Sequence, residues 1–212
     1  MPPRIFIDGQ AGTTALRIRD WLAGRDDLEV MLLPEELRKD PAMRQKTLRD
    51  AEIVLLCLPD DAAKEAAAWL ADSRVRILDA STAHRVADGW VYGLPELTSG
   101  QRERIAQARR VANPGCYSTA VILLVRPLLD AGLIAVDAAF SVHALSGYSG
   151  GGRSMIERWE NPTGPLKNLP YEAPYSVGKL HKHIPEIMRW SGLSTEPQFI
   201  PAVGPFRCGM RV

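Results

Sequence analysis

Short runs of apolar residues alternate with amphipathic or alanine-rich stretches along the first half of the chain. Arg4-Ile-Phe-Ile-Asp8, Leu28-Glu-Val-Met-Leu-Leu33, Ala51-Glu-Ile-Val-Leu-Leu-Cys-Leu58 and Val75-Arg-Ile-Leu-Asp-Ala80 read as strands, and Arg110-Val-Ala112 ends a fifth. Between them, Leu16, Ile18, Trp21 and Leu22 mark a helix, and residues Asp60 to Ala71 form an alanine-rich one. Strands alternating with helices predict a parallel sheet with helices on both faces. The unbroken apolar run from Ile53 to Leu58 fits a strand buried on both sides.

The pattern changes near residue 114. A helix-length apolar segment, Ala120 to Leu129, follows Cys116, and Ala138 to Leu145 then alternates loosely. Ser146-Gly-Tyr-Ser-Gly-Gly-Gly-Arg153 is too glycine-rich for a regular element, and residues 160–178 read as irregular. A helix starts at His181-Lys-His-Ile-Pro-Glu-Ile-Met-Arg-Trp190, with Pro185 in its first turn, and Gln198 to Val203 is strand-like. The expected fold is α/β: a Rossmann-like, doubly wound parallel sheet in residues 1–114, then an α+β domain in residues 115–212. Phe206 to Val212 reads as the middle of a strand, and two or three strands are few for an independent core. The second domain is therefore expected to be incomplete within this sequence.

Composition removes several function classes. The chain is 46% hydrophobic with a net charge of +1, so nothing electrostatic points to nucleic acid or an anionic membrane. It has no apolar run of about 18 residues, so no membrane-spanning helix is expected. The opening Met-Pro-Pro-Arg has none of the parts of a signal peptide, which makes the cytoplasm the expected location. Cys57, Cys116 and Cys208 are odd in number and unpaired in spacing, suggesting neither a disulfide framework nor a metal site.

The chemistry concentrates at Asn113-Pro-Gly-Cys-Tyr-Ser-Thr119. A cysteine that opens a helix sits at the positive end of the backbone dipole, beside amide N–H groups with no intrahelical partner, which favours the thiolate. Cys116 is thus the candidate nucleophile, whereas Cys57, in an apolar strand, reads as core. A thiol nucleophile needs a proton partner, normally histidine. His181 and His183 stand together among polar residues, and spacing alone does not choose between them. Gly9-x-x-Gly12-x-x-Ala15 after the first strand reads as a phosphate-binding turn, although it departs from the G-x-G-x-x-G fingerprint. No acidic residue closes the second strand, and Arg38 and Lys39 just beyond it could meet a 2′-phosphate, a lean towards NADP. Arg153 reads equally as an anion-binding guanidinium or as a surface residue.

Taken in order, these motifs closely resemble the N-acetyl-gamma-glutamyl-phosphate reductase family of arginine biosynthesis, in its short bacterial form (type 2). The matching segments are Ile5 to Thr14, Leu56-Cys-Leu-Pro-Asp-Asp61, Leu78-Asp-Ala-Ser-Thr-Ala-His-Arg85, Trp90 to Leu97, Asn113-Pro-Gly-Cys-Tyr117, Ser146 to Arg153, His181 to Glu186 and Pro201-Ala-Val-Gly204. The resemblance implies an NADP-dependent oxidoreductase that reduces N-acetyl-glutamyl phosphate through a Cys116 thioester, with release of phosphate. It implies that Gly9, Ala11, Gly12, Thr13 and Thr14 line the NADP site, that His183 is the acid/base, and that His181, Ser149 and Arg153 bind substrate. It also makes residues 115–212 the catalytic and dimerisation domain of a homo-oligomer. Two departures stand out: Ser118 replaces an expected proline, and the family's chains run roughly a hundred residues further. The alternatives are a related semialdehyde dehydrogenase acting on another acyl phosphate, or a non-catalytic dinucleotide-binding fragment.

Overall fold

A computed structural model describes residues 1–10, 12–161, 172–178 and 181–212. The chain divides into two compact units, Met1–Pro114 and Gly115–Val212.

In the first unit, six strands form one sheet in the order β2-β1-β3-β4-β6-β5. They are β1 (Arg4–Asp8), β2 (Glu29–Met31), β3 (Ile53–Leu56), β4 (Arg76–Asp79), β5 (Val91–Tyr92) and β6 (Arg110–Ala112). Every pairing is parallel, so each strand needs a crossover back to its starting edge. The helices α1 (Thr13–Leu22), α2 (Pro41–Asp50), α3 (Asp60–Trp69) and α4 (Gln101–Gln107) lie in the connections. The register aligns Phe6, Val54 and Ile77 in one row and Asp8, Leu56 and Asp79 in the next row of the same face. Leu48 of α2 and Ala63, Ala66 and Leu70 of α3 and its end pack on that face, and all four are almost fully buried.

The periodicity of α1 misleads. Leu16 and Trp21 are exposed, and the buried residue of that helix is Ala15. Helices α2 and α4 escape the hydrophobic pattern because each carries few apolar residues, and β5 because two residues are too few to show a period. The local signal for α2 is chemical: the Asp40 carboxylate accepts the Met43 N–H at 2.8 Å, and Pro41 opens the helix where no N–H is needed.

The second unit pairs a four-stranded sheet, β10-β7-β9-β8, with two principal helices. Helix α5 (Cys116–Asp130) packs against α7 (Ile184–Ser191). Strands β7 (Ser141–Gly147) and β9 (Gln198–Gly204) run parallel in the middle, with β8 (Ala173–Pro174) and β10 (Met210–Arg211) antiparallel at the edges. Val121 and Val125 of α5 meet Ile187 of α7 and Leu193 in a buried cluster. The glycine-rich run corrects the expectation of no regular element: β7 continues through Gly147, a 3₁₀ turn covers Tyr148–Gly151, and α6 (Gly152–Glu160) follows. Glycine is required there by close approach, because a Cβ on Gly147 would lie 2.7 Å from the Arg207 carbonyl oxygen. Val212 packs on the cluster that holds α5 and α7.

Phe6 is 1% exposed at the centre of the first unit's packed face. Phe6→Ala is expected to lower the stability of this unit by about 3–5 kcal/mol, because a cavity adds to the lost transfer energy. Urea unfolding followed by tryptophan fluorescence checks this.

Candidate active site

In a parallel sheet, ligand crevices form outside the carboxyl ends of the strands where the strand order reverses. Here the reversal falls between β1 and β3, and a cleft of about 570 Å³ opens at that point. Asp8 and Gly9 line it from the end of β1, Leu33, Arg38 and Lys39 from beyond β2, and Cys57 and Pro59 from the end of β3. The turn that floors it is tight. Gly9 has φ +89°, and a Cβ there would come within 2.3 Å of the Cys57 carbonyl oxygen. The Gly12 N–H donates to the Gly9 carbonyl at 2.9 Å, and Gly12 then caps α1 with no side-chain acceptor. Thr13 and Thr14 are the first two residues of α1, while Ala11 lies outside the described residues. A bare helix start behind a glycine turn suits a dinucleotide pyrophosphate.

Charge in the cleft is arranged to admit an anion. The buried Asp8 would repel phosphate, but Arg44 binds it through two bonds, Nε to Oδ1 at 3.2 Å and Nη2 to Oδ2 at 2.8 Å. The Arg44 guanidinium also lies over the Trp69 ring. Arg38 is half-buried and pairs with the exposed Glu35, a solvent-screened contact. Gln10 donates to the Leu33 carbonyl at 2.6 Å and accepts the Leu33 N–H at 3.1 Å, tying the turn to the chain beyond β2. Sequence reading missed Arg44, which belongs to no local pattern, and the tie of Gln10 to Leu33 across 23 residues.

Cys57 corrects its sequence assignment. It lies just past β3 and lines the cleft half-buried instead of sitting in the core. Burial first, then the neighbouring Asp79 and Asp8 carboxylates, push its thiol up to about 11, so it stays protonated near neutral pH. The Leu78-to-Arg85 motif forms a buried knot nearby. Asp79 accepts from the Ser81 N–H and hydroxyl and meets His84 Nδ1 at 2.6 Å, and His84 stacks on Trp90. Arg85 donates to the Asn113 carbonyl at 3.0 Å.

In the second unit, Cys116 is the first residue of α5, with Gly115 as its N-cap, and it is exposed. Its neighbour Tyr117 is buried and makes edge contacts with both histidine rings, at 5.6 Å to His183 and 6.1 Å to His181. The two histidine rings stand 4.9 Å apart in a T. His183 is the N-cap of α7 and His181 precedes it, so helical spacing does not separate the two rings. His181 Nδ1 accepts the His183 backbone N–H at 3.2 Å, so a neutral His181 carries its proton on Nε2. Burial, then the Lys182 charge, lowers the His181 pKa from its ordinary value.

Tyr175 is a further member of this cluster that sequence reading missed. Its hydroxyl donates to that of Tyr117 at 3.4 Å, and its ring lies 5.7 Å from His181. Burial, then Tyr117 and Cys116, push its pKa upward. Ser176 beside it, at φ +51°, is the only non-glycine residue with positive φ among those described, a conformation that sequences rarely adopt without a local demand. Ser149 sits half-buried in the 3₁₀ turn, where its N–H donates to the Arg207 carbonyl at 3.0 Å. Arg153 is exposed and pairs with Glu157 on its own helix at 2.9 Å. Neither residue makes a described contact with Cys116 or the histidines. Among the described residues, no group of three or more His, Cys, Asp or Glu side chains could hold a metal ion, and no helix is long and apolar enough to cross a membrane.

Beneath Cys116 lies a buried carboxylate. Glu186, on α7 and 1% exposed, accepts the Gly115 N–H at 2.6 Å and the Ser118 hydroxyl at 2.7 Å. Ser118, the position where the resemblance calls for proline, is fully buried and spends its hydroxyl on this bond.

Two outcomes are expected. Gly9→Ala, strained by its positive φ and by the Cys57 carbonyl, should weaken NADPH binding by about tenfold or more, measured by fluorescence titration. The lowered pKa of His181 means that the unfolded chain takes up its proton first as pH falls below the ordinary 6.5. His181 therefore favours the folded state above that value, and the contribution is lost as pH falls towards the folded-state pKa. Urea midpoints for the wild type should drop across this range more steeply than for His181→Gln.

Comparison with known proteins extends this geometry. Residues 26–108 match the family model described as the semialdehyde dehydrogenase NAD binding domain, and residues 116–212 match the semialdehyde dehydrogenase dimerisation domain. N-acetyl-gamma-glutamyl-phosphate reductase 2 of Pseudomonas putida is 52% identical over 208 residues, which is 98% of this chain and 66% of that protein. The N-acetyl-gamma-glutamyl-phosphate reductase of Brucella anthropi is 52% identical over 213 residues, 100% of this chain and 68% of that protein. The Chelativorans enzyme of the same name is 48% identical, over 99% of this chain and 67% of its own. The chain thus spans about two thirds of the length of these curated relatives. Among solved structures, aspartate semialdehyde dehydrogenase II of Vibrio cholerae superposes with a TM-score of 0.73 at 15% identity, covering 99% of this chain and 72% of that one. The Candida albicans aspartate semialdehyde dehydrogenase, solved with NADP, gives 0.66 at 11%, covering 98% of this chain and 69% of that one. At such identities these two show the fold alone. The identity to the curated relatives settles the family: this chain belongs to the N-acetyl-gamma-glutamyl-phosphate reductases.

Proposed function

We propose that the chain carries the cofactor site and the thiol chemistry of an NADPH-dependent reductase that converts N-acetyl-glutamyl phosphate to N-acetyl-glutamate semialdehyde, a step of arginine biosynthesis. The observation that carries this reading is the exposed Cys116 at the first position of α5, joined through Tyr117 to the His181–His183 pair. Residues 1–114 serve as the NADP-binding domain and residues 115–212 as the catalytic and dimerisation domain of a cytoplasmic homo-oligomer.

The residues present suit the cofactor. The Gly9 turn leaves no room for a Cβ, the N-cap of α1 makes no side-chain bond among the described residues, and Arg38 and Lys39 supply positive charge for a 2′-phosphate. Bound NADPH supplies a hydride.

The Cys116 sulfur attacks the γ-carbonyl carbon of the acyl phosphate, the carbon–oxygen bond to the phosphoryl group breaks, and phosphate leaves. The resulting thioester accepts hydride readily, whereas a carboxylate does not, so the covalent step divides one hard reaction into two easier ones. His183 protonates the tetrahedral oxyanion left by hydride addition and takes the proton back as the carbon–sulfur bond breaks, releasing the semialdehyde and restoring the thiolate. His181, neutral with its proton on Nε2, offers a hydrogen bond to substrate oxygen. Ser149 and Arg153 are proposed to hold its anionic groups, Arg153 after leaving its exposed pair with Glu157.

The test is phosphate-dependent reduction of NADP with N-acetyl-glutamate semialdehyde. Cys116→Ser should abolish turnover, a fall of at least about a thousandfold, and leave NADPH binding in place. Retained turnover in that variant would overturn the mechanism. Activity with aspartate semialdehyde and none with the N-acetyl-glutamate compound would reassign the substrate.

A further inference from the structure

We infer that Glu186, held by the Gly115 amide and the Ser118 hydroxyl, is a positioning residue that fixes the nucleophile's helix start against the helix start bearing the acid/base histidine. This rests on the reductase reading only for its catalytic consequence, since the contact itself is structural.

A helix leaves its first N–H groups without intrahelical partners, and a local side chain commonly takes one of them. Helix α5 has no such local cap, because its N-cap is glycine. The acceptor comes from 71 residues away. Glu186 takes the N–H of the N-cap residue Gly115 at 2.6 Å with one oxygen, and the hydroxyl of Ser118 at 2.7 Å with the other. These two bonds flank Cys116 in sequence, one on each side.

Glu186 is also the third residue of α7, whose N-cap is His183. One carboxylate therefore lies in the first turn of one helix and caps the start of the other. Negative charge is favoured at a helix N-terminus, and here a single charge serves two. A carboxylate that is 1% exposed would be costly to bury without donors on its oxygens. Ser118 contributes one of them from a fully buried position, so a hydroxyl there acts through Glu186 and touches no reacting atom. Tilting α5 relative to α7 would stretch both bonds together, and the Cys116 thiol would move relative to His183.

Three variants test this. Glu186→Ala removes both bonds, Ser118→Ala removes one and keeps the charge, and Glu186→Gln keeps an acceptor for Gly115 and a partner for Ser118. Two readouts are used: hydrogen exchange of the Gly115 amide by NMR, which needs no substrate, and kcat and KM with N-acetyl-glutamate semialdehyde. A lost bond to a charged group is expected to cost roughly ten- to a hundredfold where its full worth is expressed. Ser118→Ala should therefore speed Gly115 exchange and lower kcat by about tenfold, and Glu186→Ala should lower kcat by about a hundredfold, each with KM within about twofold. Glu186→Gln should recover most of both losses. The inference is overturned if folded Ser118→Ala and Glu186→Ala match wild type in Gly115 exchange and kcat, or if activity per folded molecule is unchanged while only thermal stability falls. Should Glu186→Ala fail to fold, Ser118→Ala carries the decision. Should the wild type show no turnover, the reductase reading fails on its own, and unchanged Gly115 exchange in Ser118→Ala still overturns this inference.

Discussion

Both candidate sites are built where a helix begins, and the constraint behind them is the same. The first backbone N–H groups of a helix have no partner inside it. The two units answer that constraint differently. At α1 a glycine N-cap with no side-chain acceptor leaves the helix start open to the cleft, which suits an anion. At α5 the N-cap is again glycine, but a buried carboxylate from another helix fills the role. One helix start is open for a ligand and the other is anchored, and the exposed thiol sits on the anchored one.

Buried carboxylates mark the points where these devices are held. Asp8 is neutralised by Arg44, Asp79 is tied to Ser81 and His84, and Glu186 is held by Gly115 and Ser118. Each lies at a strand end or a helix start next to a site. A buried charge left without donors is costly, so each such group constrains its partners to one geometry. The same surroundings divide the two cysteines. Cys57, beside Asp8 and Asp79 and partly buried, is held as the thiol, whereas Cys116 opens a helix at the surface.

The parallel sheet of the first unit was legible because its buried strands are nearly continuous in apolar residues, and the glycine turn and the cysteine at a helix start carry their chemistry in adjacent positions. The second half was harder to read for a physical reason. Its connections are rich in glycine, so the tight contact of Gly147 with Arg207 and Cys208 looked like the absence of structure. Helix α2 was hidden because its face towards the sheet holds Arg44 and Thr47 beside Leu48, and polar residues leave no apolar stripe.

By itself the sequence determined the elements built from local pattern: the alternating strands and helices, the glycine turn, the cysteine that opens a helix and the histidine pair, since these depend on residues within a few positions of one another. Only the tertiary structure decided what those residues meet. Arg44 reaches Asp8 across 36 residues, Glu186 reaches Ser118 across 68, and Tyr175 reaches Tyr117 across 58. No local spacing encodes such pairings, because they arise when separate helices and strands pack and bring distant donors and acceptors within bonding distance.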